Sequence, residues 1–114
     1  MKYRVIAPHR PGPGEPLVAR EGDGLRFERR ATEWEGWLWC ITGEGRSGWV
    51  PESWVEIAGE TCLMRRDYDA TELAVTAGDE VVGELTASGW IHVRHENGKA
   101  GWVPLRVLEP VQRS

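Results

Sequence analysis

GRSGWVPESWVEI, residues 45–57, and GKAGWVPLRVLEP, residues 98–110, are one pattern written twice. Each runs from a glycine turn into a Gly-Trp-Val-Pro strand and then a second apolar group. Gly48 and Gly101, Trp49 and Trp102, and Pro51 and Pro104 all stand 53 residues apart. The same interval joins EGWLWCIT (35–42) to SGWIHVRH (88–95), through Gly36 with Gly89 and Trp37 with Trp90. Further upstream the interval widens to 56, for Leu17 with Leu73, Gly22 with Gly78 and Asp23 with Asp79. The first copy therefore carries three extra residues, near Ala31-Thr32-Glu33-Trp34.

A repeat of this length defines the organisation of the chain. The expected domains are residues 1–57 and 61–110, joined by a short linker at 58–60 and followed by a tail at 111–114. Within each copy the apolar residues alternate or cluster in short runs. YRVIA, GLRFERR, GWLWCIT and SGWV in the first copy, and TCLM, EVVGEL, GWIHVRH and AGWV in the second, predict strands. No segment of ten or more residues carries a helical period. Asn97-Gly98 predicts a hairpin turn with both residues at positive φ. Five short strands in some fifty residues predict an all-β fold of two small, strongly bent barrels.

Composition narrows the function. The net charge is −4, with −1 in residues 1–58 and −3 in residues 59–114. That balance gives no basic face for nucleic acid. No run approaches the length of a membrane span, and MKYRVIAPHRPGPG has no apolar core of signal-peptide length, so a cytoplasmic protein without a membrane partner is expected. Cys40 and Cys62 match no zinc pattern and read as buried, reduced thiols. His92 and His95 are three apart on a strand and point to opposite faces, which is poor geometry for a shared metal. Cys40 with a histidine would lack an orienting third group. No cofactor and no enzymatic activity are expected. Seven tryptophans point instead to aromatic cores and aromatic binding platforms.

These motifs together resemble two tandem Src homology 3 (SH3) domains, over nearly the whole chain. RRDYDATELAVTAGDEV (65–81) resembles the family's A-L-Y-D-Y segment, its acidic loop and its Gly-Asp turn. SGWIHV and NGKAGWVP resemble the tryptophan strand and the hairpin that follows it. AREGDGL, EGWLWC and SGWVPESWVEI do the same in the first copy. WEGWLWC and the proline-rich first loop look more like the bacterial variant SH3 group than like eukaryotic adaptors. The resemblance implies two five-stranded barrels and a non-catalytic module that binds an extended, proline-rich protein segment in an aromatic groove.

The family groove uses two tyrosines of A-L-Y-D-Y, the strand tryptophan, the proline after the Gly-aromatic strand, and a tyrosine three residues beyond it. Carried over, the first copy supplies Trp37, Pro51 and Trp54, with Trp39 extending the same strand face; its tyrosine positions fall near His9 and Pro11. The second supplies Tyr68, Trp90 and Pro104, with Arg66 and Val107 in place of the outer tyrosines. Neither groove is complete, and the first is the better preserved. Acidic loop residues, Glu15 and Asp23 in the first copy and Asp69 and Glu72 in the second, are the expected partners of a basic ligand; the plainer alternative is a solvated loop. Trp49 and Trp102 read as structural, and Trp34 as a cap on groove or interface.

Two other readings stay open. One is cell-wall or glycan binding, which aromatic platforms suit. The other is a structural role with self-association into a homo-oligomer. RPGPGEP (10–16) reads mainly as a stiffened loop; its sharper reading is self-recognition, with Arg10, Pro13 and Pro16 as a proline ligand.

Overall fold

A computed structural model describes residues 1–12, 15–31 and 35–111. The chain is all-β. Its strands are β1 (Lys2–Val5), β2 (Val18–Ala19), β3 (Gly24–Glu28), β4 (Trp37–Ile41), β5 (Ser47–Pro51), β6 (Val55–Ala58), β7 (Thr61–Met64), β8 (Tyr68–Asp69), β9 (Glu80–Ala87), β10 (Trp90–His95), β11 (Ala100–Pro104) and β12 (Leu108–Pro110). Single 3₁₀ turns, Glu52–Trp54 and Leu105–Val107, follow β5 and β11.

The strands form two five-stranded sheets, in the orders β5-β4-β3-β7-β6 and β11-β10-β9-β1-β12, with a small β2-β8 ribbon. All the ladders that build them are antiparallel. The five-strand expectation holds in each sheet. Closure does not: among the described residues no ladder joins the outer strands of either sheet, so each is an open, SH3-like sheet rather than a closed barrel.

The compact units cut across the sequence repeats. Unit 1 comprises Met1–Pro13 and Thr71–Ser114; unit 2 comprises Gly14–Ala70. The two repeats have exchanged their opening strands. β7, which opens the second repeat, lies between β3 and β6 of the first. β1, which opens the first, lies between β9 and β12 of the second. The two strands are equivalent, because the Met64 N–H bonds to the Asp23 carbonyl as the Val5 N–H bonds to the Asp79 carbonyl.

The segment read as a linker explains the exchange. Ala58 pairs with Thr61, so Gly59-Glu60 is a two-residue hairpin turn, with Gly59 at φ +67°. A turn that short has one outcome, an antiparallel strand laid back on its predecessor. In each unit the last strand pairs with an opening strand. After this turn the nearest opening strand to β6 is β7, and β1 is left to serve unit 1. Of RPGPGEP, residues 10–12 fall in unit 1 and residues 15–16 in unit 2, while Pro13-Gly14 lie outside the described residues. In the tail, Val111 donates to the Lys2 carbonyl, while 112–114 lie outside the described residues.

Strand alternation sorts the side chains. In β4, Leu38 and Cys40 are buried while Trp37, Trp39 and Ile41 share the other face. Leu17, Leu25, Leu38, Cys40, Val50, Val55, Cys62 and Met64 build the buried interior of unit 2. Val5, Leu73, Val75, Val81, Ile91, Val93, Val103, Val107 and Leu108 form the core of unit 1. The paired-positive-φ turn falls at Ser88-Gly89 (φ 44° and 88°), between Ala87 and Trp90. At Asn97-Gly98 only Gly98 is positive, at 87°. There the Gly98 N–H bonds to the His95 carbonyl and the His95 N–H to the Lys99 carbonyl. That is a three-residue loop ending in a left-handed glycine, a different solution to the same reversal. Gly45 repeats it in unit 2, within Thr42–Arg46.

Candidate functional site: an aromatic groove assembled from both repeats

The strand exchange redistributes the groove residues. Tyr68, assigned by sequence to the second copy, belongs to unit 2 with Trp37, Pro51 and Trp54. Asp69 moves with it. Trp90, Pro104 and Glu72 remain in unit 1, which receives His9 from the first repeat.

In unit 2 the site is built along a continuous path. Trp37 on β4 lies opposite Pro51 on β5. Pro51 leads into the 3₁₀ turn, whose last residue is Trp54. The Arg65 N–H bonds to the Trp54 carbonyl at 2.9 Å and brings in the chain before β8. Tyr68 then stands edge-on to Trp54, with ring centres 5.4 Å apart and planes at 87°. Its hydroxyl donates to the Trp49 carbonyl at 2.9 Å, so the buried phenol is satisfied. The Arg66 guanidinium sits 4.1 Å over the Trp54 ring.

Burial ranks these groups. Pro51 is fully buried, and Tyr68 and Trp54 are only 6% and 9% exposed. They form the foundation of the site. Trp37 is half-buried and Arg66 exposed, so these two form the accessible part. Trp39 is also half-buried; it packs edge-on against Trp49 at 5.2 Å and carries the Arg30 guanidinium 4.5 Å over its ring.

The acidic residues have internal partners. Glu15 pairs with Arg46 at 2.8 Å. Asp23 Oδ2 accepts the Arg20 N–H at 2.9 Å and closes the turn before β3. Asp67 Oδ1 accepts the Glu21 N–H at 2.9 Å. Asp69 pairs with Val18 in the β2-β8 ribbon.

Unit 1 has the same wiring with different groups. The Ile6 N–H bonds to the Val107 carbonyl as the Arg65 N–H bonds to the Trp54 carbonyl. That register makes Ala7 the counterpart of Arg66 and His9 the counterpart of Tyr68, which moves the positions read by sequence at His9 and Pro11. His9 lies edge-on to Trp90 at 5.5 Å, and its Nε2 donates to Glu72 Oε1 at 2.7 Å. Pro104 is fully buried, and Val107 is a core residue. Trp102 is 4% exposed, whereas Trp49 is half-buried. Thr71–Leu73 bonds along Trp102 on both sides, its Thr71 carbonyl accepting and its Leu73 N–H donating. Unit 1 thus retains two of the five family positions, Trp90 and Pro104, and unit 2 retains four.

Three further groups define local electrostatics. Burial pushes the Cys40 thiol up to about 12, with Cys62 adding to the shift; both cysteines are free and buried. The Thr76 N–H, and after it His95, hold the Asp79 carboxyl below its ordinary value. His92, then Arg94, do the same for Glu84. Among the described residues no group of three or more His, Cys, Asp or Glu is placed to hold a metal, and no helix is long and apolar enough to cross a membrane. Pro13 of the self-recognition reading, and Trp34, lie outside the described residues.

This fold and this ordered set of residues place the chain in a known class. It belongs to the variant SH3 family: the model described as Variant SH3 domain matches residues 10–58 and again residues 64–111. The two matches follow the sequence repeats, not the compact units. No curated protein and no solved structure matches the chain.

The feature that sequence reasoning missed is the partnership of Tyr68 with Trp54. A signal for it is present in the brevity of the Ala58–Thr61 connection, which suits a hairpin better than a tether between two separate domains.

Proposed function

We propose that the chain is a non-catalytic module that binds an extended protein segment on unit 2, at the surface around Trp37, Pro51, Trp54 and Tyr68. The observation that carries this reading is the edge-on packing of Tyr68 on Trp54. It supports the reading because Trp54 and Tyr68, which the sequence assigns to different repeats, pack against each other within unit 2. Aromatic walls suit the ridged, preordered polyproline II conformation, which loses little entropy on binding. Unit 1 has a histidine tied to a carboxylate where unit 2 has the tyrosine, and it acts as the partner fold that supplies β1 with a home.

The test is a ¹H–¹⁵N titration of the full chain with a proline-rich peptide, following the tryptophan indole signals. The Trp37 and Trp54 signals are expected to move, and Trp37→Ala to weaken binding by about tenfold while the remaining spectrum stays dispersed. Shifts confined to Trp90 would transfer the site to unit 1. Equal binding by Trp37→Ala would remove this surface.

A further inference from the structure

The charges around the unit 2 groove point to a different ligand from the basic one implied by the family resemblance. Loop carboxylates of unit 2 have partners of their own at its surface. Glu15 is paired with Arg46, Asp23 closes its own turn on Arg20, and Asp67 accepts the Glu21 N–H. Asp69 also has a partner.

Arg66 is in the opposite state. It stands where the family has its first groove tyrosine. It is exposed and covers the Trp54 ring at 4.1 Å, yet makes no ion pair among the described residues. A guanidinium over an indole satisfies the ring face and leaves in-plane N–H donors for another group. Those donors form a rigid fork matched to a carboxylate. With Pro51, Tyr68 and Trp54 buried, an incoming chain meets Arg66 and the half-buried Trp37 first.

We infer that the unit 2 groove selects an extended, proline-containing peptide bearing a carboxylate side chain, which Arg66 holds in a bidentate pair while an apolar residue rests on Trp37. This rests on the groove reading above. The chain's net charge of −4 does not oppose it strongly. At physiological salt, exposed charges farther apart than about 8 Å are largely screened, whereas a contact pair is not.

The experiment titrates the full chain with three synthetic peptides that share a Pro-x-x-Pro core and differ only in flanking residues: glutamate, glutamine or arginine. The Trp37 and Trp54 indole signals are the readout. The glutamate peptide is expected to bind about tenfold tighter than the glutamine peptide, with the arginine peptide weakest. Arg66→Gln should erase the advantage of glutamate over glutamine, and Arg66→Lys should restore part of it. Because Arg66 is exposed, both variants keep the dispersed spectrum of the parent. If the arginine peptide binds tightest, or the glutamate preference survives in Arg66→Gln, the carboxylate assignment is overturned and the groove stands. If none of the three peptides moves either indole, the groove reading falls, and this inference with it.

Discussion

Tyr68 and His9 occupy equivalent places in the two units, and each packs edge-on against a tryptophan. Tyr68 donates its hydroxyl to a backbone carbonyl, and its neighbour Arg66 covers the same tryptophan, Trp54. His9 is tied instead to Glu72, and its counterpart of Arg66 is Ala7. One wiring diagram therefore carries a tyrosine and an arginine against a tryptophan in unit 2, and a histidine tied to a carboxylate in unit 1. The two units share one frame, and the difference between them lies in a few side chains. Which side chains meet is decided by the strand exchange rather than by the repeat to which they belong.

The most severe way to break the comparison is to delete residues 1–5. β1 lies between β9 and β12 and contributes Val5 to the unit 1 core, so its loss opens a gap in the middle of that sheet. Burial of Val5 alone contributes about 1.5–3 kcal/mol. Unit 1 is expected to unfold, with the Trp90 and Trp102 indole signals collapsing. Unit 2 should persist, and Cys40 and Cys62 should stay protected from alkylation. Separate domains following the sequence repeats would show the reverse, with the Trp37 and Trp54 signals lost first.

A pair of equivalent glycines sharpens the contrast. A Cβ on Gly101 would meet the Leu73 nitrogen at 2.8 Å and the Thr71 oxygen at 2.9 Å, both backbone atoms. On Gly48 the nearest atom is the Leu17 Cβ, at 3.2 Å. Gly101→Ala should therefore destabilise unit 1 by about 1–3 kcal/mol, and Gly48→Ala should cost unit 2 less. Denaturant midpoints read from the indole signals of each unit check the order.

The turn at Gly59-Glu60 tests the cause of the exchange. Replacing it with a long flexible Gly/Ser segment removes the geometric demand for a hairpin. Each doubling of loop length costs only about 0.6 kcal/mol, so the exchanged form weakens modestly and the alternative pairing becomes accessible. A second set of Trp54 and Trp90 signals is expected. A single, unchanged set would show that side-chain packing, not turn length, assigns the strands.

The smallest effect is a pH dependence confined to unit 1. Asp79 has a folded-state pKa below its ordinary value, chiefly through the Thr76 N–H. Its stabilisation is present above the unfolded value of about 4 and is lost as pH falls through the lowered folded value. Glu84 follows the same sign through His92. Asp79→Asn should flatten the acid limb of unit 1 stability, measured as thermal midpoint against pH. A limb of unchanged slope would remove Asp79 as its source.

Much of the fold is legible in the order of residues. The 53-residue interval locates both copies, because equivalent strands demand equivalent spacing of Gly, Trp and Pro. The strand runs follow because period-two alternation is a local property: Leu38 and Cys40 have to face away from Trp37 and Trp39. Hairpin geometry is less legible. Asn97-Gly98 and Ser88-Gly89 both end in glycine, and the number of residues spanned by the ladder separates the two turn types.

The sequence by itself determined two SH3-type repeats, their strands, and the residue types available to a groove. Only the tertiary structure decided which repeat closes which sheet. Strand pairing depends on where the chain can go after Ala58, and a two-residue turn sends β7 onto β6 before it can reach its own repeat. Local pattern is blind to that choice, since β1 and β7 would satisfy either sheet. The choice nevertheless brings Tyr68 to Trp54 and places Arg66 over the same ring.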